Sequence, residues 1–240
     1  MNTVFEEIYK TVWKEVFPNI EALEINKFKE LFTFDVDLPK KHLCEKTNKE
    51  VFISDRYKYP RLAHEDFLNE GQTPEVKEIG NLGELLKEAK PILLFRGNKT
   101  MNSEVVEESD HIYSSSYIYN SQHIYLGQKI LFSENCSESE YLLASRGGSG
   151  CNFGIRVFDS SKTSNSFDID WSGNTVNSYF IHDCYDLRDC MFCFHTRSKQ
   201  YCIGNRQYAK EKYFELKEKI LKEYFEQLKG ENPFVTLKDL

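Results

Sequence analysis

No uninterrupted apolar run in this 240-residue sequence approaches the roughly 18 residues that a bilayer span requires, which argues against a membrane protein. Its first residues, MNTVFEEIYK, carry acids where a secretory signal carries bases, so the chain reads as cytoplasmic. Basic excess is also missing. Lysine and arginine total 31 against 38 acids, for a net charge of −7, and phosphate neutralisation needs the opposite balance, so general nucleic-acid binding is not expected. None of G-x-S-x-G, H-E-x-x-H or G-x-G-x-x-G occurs, which removes the commonest hydrolase, zinc-protease and dinucleotide signatures. The seven cysteines are odd in number, and six follow residue 130. That distribution is not the disulfide framework of a small secreted domain and points to reduced thiols. What remains is an ordinary globular composition, 40% hydrophobic and 29% charged, enough for one large domain or two modest ones.

Three regions follow from the periodicity: residues 1–97, 98–205 and 206–240. In the first, Val4, Phe5, Ile8, Val12 and Val16 fall at helical spacing, Pro18 interrupts, and Ile20, Leu23, Leu31 and Phe32 resume an apolar face, predicting a helical pair. Residues 42–54 read as a hairpin turning at Thr47 and Asn48, and residues 60–71 as a short helix stopped by Gly71. Asn81 is placed to cap a further helix, and PILLF (residues 91–95) reads as a buried strand. In the third region, Tyr213, Leu216, Ile220, Tyr224 and Leu228 form one stripe of an amphipathic helix over residues 207–229, with Gly230 as its stop. Its position suits a cap for the repeat before it.

Residues 98–205 obey a different rule. Cut into twelves without a gap, their third column is Thr100, Ile112, Ile124, Cys136, Gly148, Ser160, Ser172, Cys184 and Thr196. The ninth is Val106, Ile118, Ile130, Leu142, Gly154, Ser166, Ser178, Cys190 and Cys202. Columns six and twelve are equally small or apolar until Lys199 and Asn205. A parallel β-helix imposes such a rule, because each inward side chain must fit beneath its equivalent one coil later, about 4.8 Å away. The expected fold is therefore mainly β: a solenoid of 12-residue or 18-residue coils, preceded by an α/β cap region and followed by the amphipathic helix. Nine 12-residue coils would extend about 40 Å.

The columns also bear on candidate sites. HDCYDLRDCMFC (residues 182–193) invites a zinc reading, with Cys190, Cys193, His195 and Cys202 as the ligand set. Yet Cys184, Cys190 and Cys193 occupy columns that elsewhere take serine and isoleucine, so a buried thiol ladder without any cofactor is the competing expectation. Column ten runs Tyr119, Leu131, Leu143, Ile155, Phe167, Tyr179, Met191 and Ile203, an external apolar stripe to be covered by the chain's own helices, a partner protein or a second copy. Tyr113, Tyr117, Tyr119 and Tyr125 form an aromatic patch on the early coils. With Phe167 and Tyr179 they make up the candidate binding surface. RGGSG (residues 146–150) lacks the ending and the helix of a phosphate loop and reads as a thin coil or bulge. Asp168 and Asp170 flank the inward Ile169 and are the one paired-carboxylate candidate.

The segment RDCMFCFHTRSKQYCIGNRQYAKEKYFELKEKI, preceded by SYIYNSQHIYL, resembles uncharacterised repeat proteins of small-genome bacteria that are rich in Asn-Ser and Asp-Cys hexads. The upstream CEKTNKEVFISDRYKYP is similar to the segment preceding their repeats, and the resemblance spans residues 44–225. Family members are sometimes labelled with a CoA-transferase name, but no pattern for that activity is present here. The resemblance implies the repeat architecture and no activity. The leading functional expectation is a non-catalytic scaffold or adaptor that binds another macromolecule through its outer surface. A carbohydrate-acting β-helix enzyme and an acidic nucleic-acid mimic are the alternatives.

Overall fold

A computed structural model describes residues 1–68, 79–230 and 232–240. Residues 98–205 form a parallel β-solenoid of about nine coils. The register fixes the coil at twelve residues rather than eighteen: Ile118 pairs with Ile130, Ile130 with Leu142, Gly154 with Ser166 and Cys190 with Cys202. Ile112, Ile118, Ile124, Ile130, Cys136 and Leu142 are fully buried between the walls, as are Ile169, Ile181, Cys184, Cys190, Cys193 and Cys202 further along.

Serine sets the corners. In the early coils the strands occupy Gln122–Tyr125 and Gln128–Leu131, each with an inward isoleucine, while Ser121 and Ser133 sit at the bends between strands. The Ser133 hydroxyl donates to the Leu131 carbonyl (2.9 Å) and accepts the amide of Ser145 one coil later (3.0 Å). Ser121 serves Ser133 in the same way, and Ser145 serves Val157. These buried serine hydroxyls are thus satisfied, and the bend amides of Ser133, Ser145 and Val157 have an acceptor that a sheet ladder does not supply.

The pattern then rotates. Later strands occupy Gly173–Val176 and Tyr179–His182, with Thr175 and Ile181 inward, and now Ser172 and Ser178 hold the bends. Relative to the early coils, the strands have moved three residues along the repeat. The change falls at RGGSG and just after it. A side chain on Gly154 would meet Val157 Cγ2 at 2.6 Å and Leu142 Cδ2 at 2.9 Å, so the last aliphatic of the old column and the first of the new one share the space above this glycine. The expected thin coil is present here, with Gly147 and Gly150 both at positive φ.

A second three-residue beat lies in the backbone. Every third residue from Asn102 to Gly204 has positive φ, between 43° and 70°, and each such residue directly precedes an inward column position, until the exposed Lys199 and Asn205 of the last coil. Most side chains adopt this region at a cost of about 1–2 kcal/mol, and asparagine, aspartate and glycine adopt it most readily. The Asn-Ser and Asp-Cys pairs of the repeat now have a physical meaning: the first residue turns the chain and the second fills the core.

Helices α1 (Thr3–Val16) and α2 (Ile25–Phe32) form the expected pair. Tyr9 OH donates to the Leu23 carbonyl (2.8 Å) and Trp13 Nε1 to that of Ile20 (3.1 Å), tying down the segment between them. The hairpin pairs Lys40–Leu43 with Glu50–Ile53. Helix α3 spans Glu65–Leu68, and its expected stop at Gly71 lies outside the described residues. Asn81 caps α4 (Leu82–Ala89) through the Glu84 amide. PILLF is not the expected buried strand. Only Phe95–Arg96 is extended, pairing with Leu62–Ala63, and no second layer covers Ile92 and Leu93, which are exposed. Helix α5 (Lys210–Gln227) lies along the solenoid's flank, and Arg206–Gln207, antiparallel to Arg197–Ile203, turns back on the edge of the last coil.

Candidate functional site

The column-ten stripe is sealed by the chain itself. Leu131, Leu143, Ile155, Phe167 and Met191 are fully buried beneath α1, α2 and α5. Phe17 lies 5.1 Å from Phe167 and 4.9 Å from Phe225, ring centre to ring centre, so both terminal regions meet over the stripe. Each fully buried aromatic contributes about 1.5–3 kcal/mol. Three members of the candidate binding surface are therefore interior residues: Phe167, Tyr179 and Tyr119, the last two only 2% and 8% exposed. Tyr117 packs partly against the same cluster. Tyr179 OH donates to the Val16 carbonyl (2.7 Å), an internal tie.

Tyr113 and Tyr125 alone of the six stand on an open face. Their rings stack at 5.1 Å and 15°, one coil apart, and Met101 precedes them in the same column. Met101, Tyr125 and Leu126 are 57%, 44% and 60% exposed.

The cysteines follow the corner rule. Cys184 and Cys190 replace serine at bends, and their thiols donate to the carbonyls two residues back, His182 (3.3 Å) and Arg188 (3.4 Å). Burial pushes the Cys184 thiol up to about 11 and that of Cys136 to about 12, while a hydrogen bond to Cys193 together with burial pushes Cys190 up. Cys190, Cys193 and Cys202 share the interior, but His195 projects outward and pairs with Asp183 (2.9 Å). The four-residue zinc set is not brought together. Among the described residues no group of three or more His, Cys, Asp or Glu is placed to hold a metal ion.

Asp168 and Asp170 also part company. Asp170 faces outward and pairs with His182 (2.8 Å). Asp168 is buried and accepts from Arg156 Nε (3.1 Å) and from the Leu237 amide (2.7 Å). Arg156, itself 1% exposed, donates to both carboxylate oxygens of Asp35 (2.8 and 2.9 Å) and to the Phe32 carbonyl (2.7 Å). Lys238 reaches Asp35 from the carboxy-terminal segment (2.6 Å). This buried clasp ties amino-terminal segment, solenoid and carboxy-terminal segment at one point. Burial raises Asp168, opposed by the Arg156 charge, and Asp35 is lowered by Arg156 and Lys238 against its own burial. The sequence reading missed Arg156, although its opposite charge to Asp168, one coil later in the same column, was a usable signal.

No protein-family model, curated protein or solved structure matches the chain. No helix among the described residues is long and apolar enough to cross a membrane.

Proposed function

We propose that this chain is a non-catalytic scaffold that binds a protein partner through the open face formed by Met101, Tyr113, Tyr125 and Leu126. The observation that carries the reading is a contrast between faces. The chain covers its long apolar stripe with its own helices, yet leaves a stacked tyrosine pair and two large aliphatic side chains uncovered on the early coils. Contiguous exposed apolar surface of this kind favours recognition, and aromatic side chains supply most of the binding energy at such surfaces. A paired-carboxylate hydrolase draws no support from Asp168, whose oxygens are committed to the clasp. We place the protein in the cytoplasm, where its seven unpaired thiols stay reduced.

The test is gel filtration of native lysate with the wild-type chain and a Tyr125→Ser, Leu126→Ser variant. The scaffold reading expects a complex that the substitution removes while the variant still unfolds cooperatively, lowered only by the lost Tyr113–Tyr125 stack, about 0.5–1.5 kcal/mol, since both side chains are exposed. Elution of the wild type at its own mass, or a complex indifferent to the substitution, would overturn it.

A further inference from the structure

Where the two terminal regions meet over the solenoid, they leave a cavity of about 320 Å³. One wall is the connection between α1 and α2, with Phe17, Pro18 and Ile20; the other is α5, with Phe214, Lys217 and Leu221. The volume lies within the range of small-molecule sites, about 300–1,000 Å³, and the walls are dominated by hydrocarbon, as such sites are. Asn19, Lys217 and Glu218 are the polar residues of the lining, and Lys217 is its one cation among the described residues. Its ammonium lies 4.3 Å from the centre of the Tyr179 ring and makes no ion pair or hydrogen bond with any described residue.

Neighbouring lysines of α5 are treated differently. Lys212 pairs with Glu215 (2.8 Å) and Lys222 with Glu218 (2.8 Å), both out on the solvent side. Glu218 also lines the cavity, but its carboxylate is taken by Lys222. Asp189, the acid whose field favours the charged form of Lys217, is buried and accepts instead from Asn177 (3.3 Å). Burial pulls the Lys217 amine down to about 8, so at neutral pH it is still a cation, held at a cost that the Tyr179 face and the more distant field of Asp189 offset only in part.

A half-buried cation with no carboxylate in contact, set into a largely hydrocarbon-lined cavity, defines the complement it lacks. We propose that this cavity binds a small monocarboxylate with an apolar body, its carboxylate paired with Lys217 and its hydrocarbon held by Phe17, Pro18, Ile20, Phe214 and Leu221. A dianion is disfavoured because one cation is available and Glu218 lies beside it. A neutral apolar molecule would leave the ammonium unpaired and further desolvated. The site is separate from the Tyr125 face, and the proposal does not depend on the scaffold reading.

The test uses decanoate and decanol as probes, with calorimetry on the full chain. Decanoate is expected to bind the wild type, and decanol, which has the same hydrocarbon length without the charge, at least about tenfold more weakly, the ratio that one charge-assisted hydrogen bond supplies. Lys217→Met keeps the length and removes the charge. It is expected to weaken decanoate about tenfold or more and to leave the melting temperature unchanged or raised, because it deletes an unpaired, partly desolvated ammonium. Leu221→Trp should fill the cavity and weaken both probes. Equal affinity for decanoate and decanol in the wild type would overturn the pairing, and that comparison holds whether or not either variant folds. No detectable decanoate binding, or binding unaffected by both Lys217→Met and Leu221→Trp, would overturn the site.

Discussion

The early and late coils of the solenoid solve one packing problem with opposite assignments. Over residues 98–145 the third and ninth columns hold aliphatic strand centres such as Ile124 and Ile130, and the twelfth holds the serine corners. Beyond residue 157, Ser172 and Ser178 occupy the third and ninth columns as corners, and Ile181 stands in the twelfth at a strand centre. The backbone beat is the same in both halves, a left-handed residue at every third position. That backbone offers each coil four equivalent bends, and the side chain decides which of them become corners. A hydroxyl that accepts the amide of the next coil selects a corner, and a branched aliphatic selects a strand.

The sharpest way to break this account is at the changeover. Gly154→Val inserts carbon where Leu142 and Val157 already approach within 2.9 and 2.6 Å of an ideal Cβ. Gly154 is not at positive φ, so any cost comes from overlap and not from backbone conformation. Overpacking of this kind costs about 3 kcal/mol where the neighbours have no room to move. Urea unfolding should show the loss as a lower midpoint. An unchanged midpoint would mean that the two aliphatic columns do not compete for this space.

A smaller effect tests whether the hydroxyl is the same part in both halves. Ser133→Ala leaves the Ser145 amide without its acceptor, and Ser172→Ala does the same to Cys184. Each should cost about 1–3 kcal/mol, the range for a buried group left unpaired. Ser133→Cys should cost less than Ser133→Ala, because Cys184 and Cys190 already serve at corners. A cost confined to one half, read from the same unfolding curves, would refute the equivalence of the two corner sets.

Much of this was legible in the sequence because a solenoid writes its interior as columns. The inward positions and the apolar stripe from Leu131 to Met191 follow from spacing, and residues 98–205 coil as the columns require, while the choice of twelve over eighteen residues per coil and of the chain's own helices as the cover came from register and packing. The rotation was present in the same columns, as serine leaving the twelfth position and entering the third and ninth, but it becomes visible only once serine is understood as a corner residue. Tyr119, Phe167 and Tyr179 were placed on the outside correctly with respect to the coil. Spacing within the repeat says nothing of what α1 and α5 then lay over them. Arg156 and Asp35 are 121 positions apart, and Lys217 acquires its cavity only where α5 meets residues 17–20, so neither arrangement has a local signature.

The smallest expected effect bears on the backbone beat itself. Of the left-handed positions from Asn102 to Gly204, Val105 alone carries a β-branched side chain, the kind least tolerant of positive φ. It is 40% exposed on the first coil, so its replacement disturbs little packing. Val105→Asn should therefore stabilise the chain by about 1 kcal/mol, roughly the conformational cost that asparagine avoids. The reciprocal change, Asn135→Val at an exposed left-handed position 30 residues on, should destabilise by about the same amount. Thermal unfolding of both variants separates conformational strain from composition. If the two shifts share a sign, side-chain identity at these positions is acting through hydration or charge, and the preference for asparagine and aspartate before each inward residue has another cause. Opposite shifts of similar size would make that preference a measured property of the turn, acting alike in coils whose corners lie in different columns.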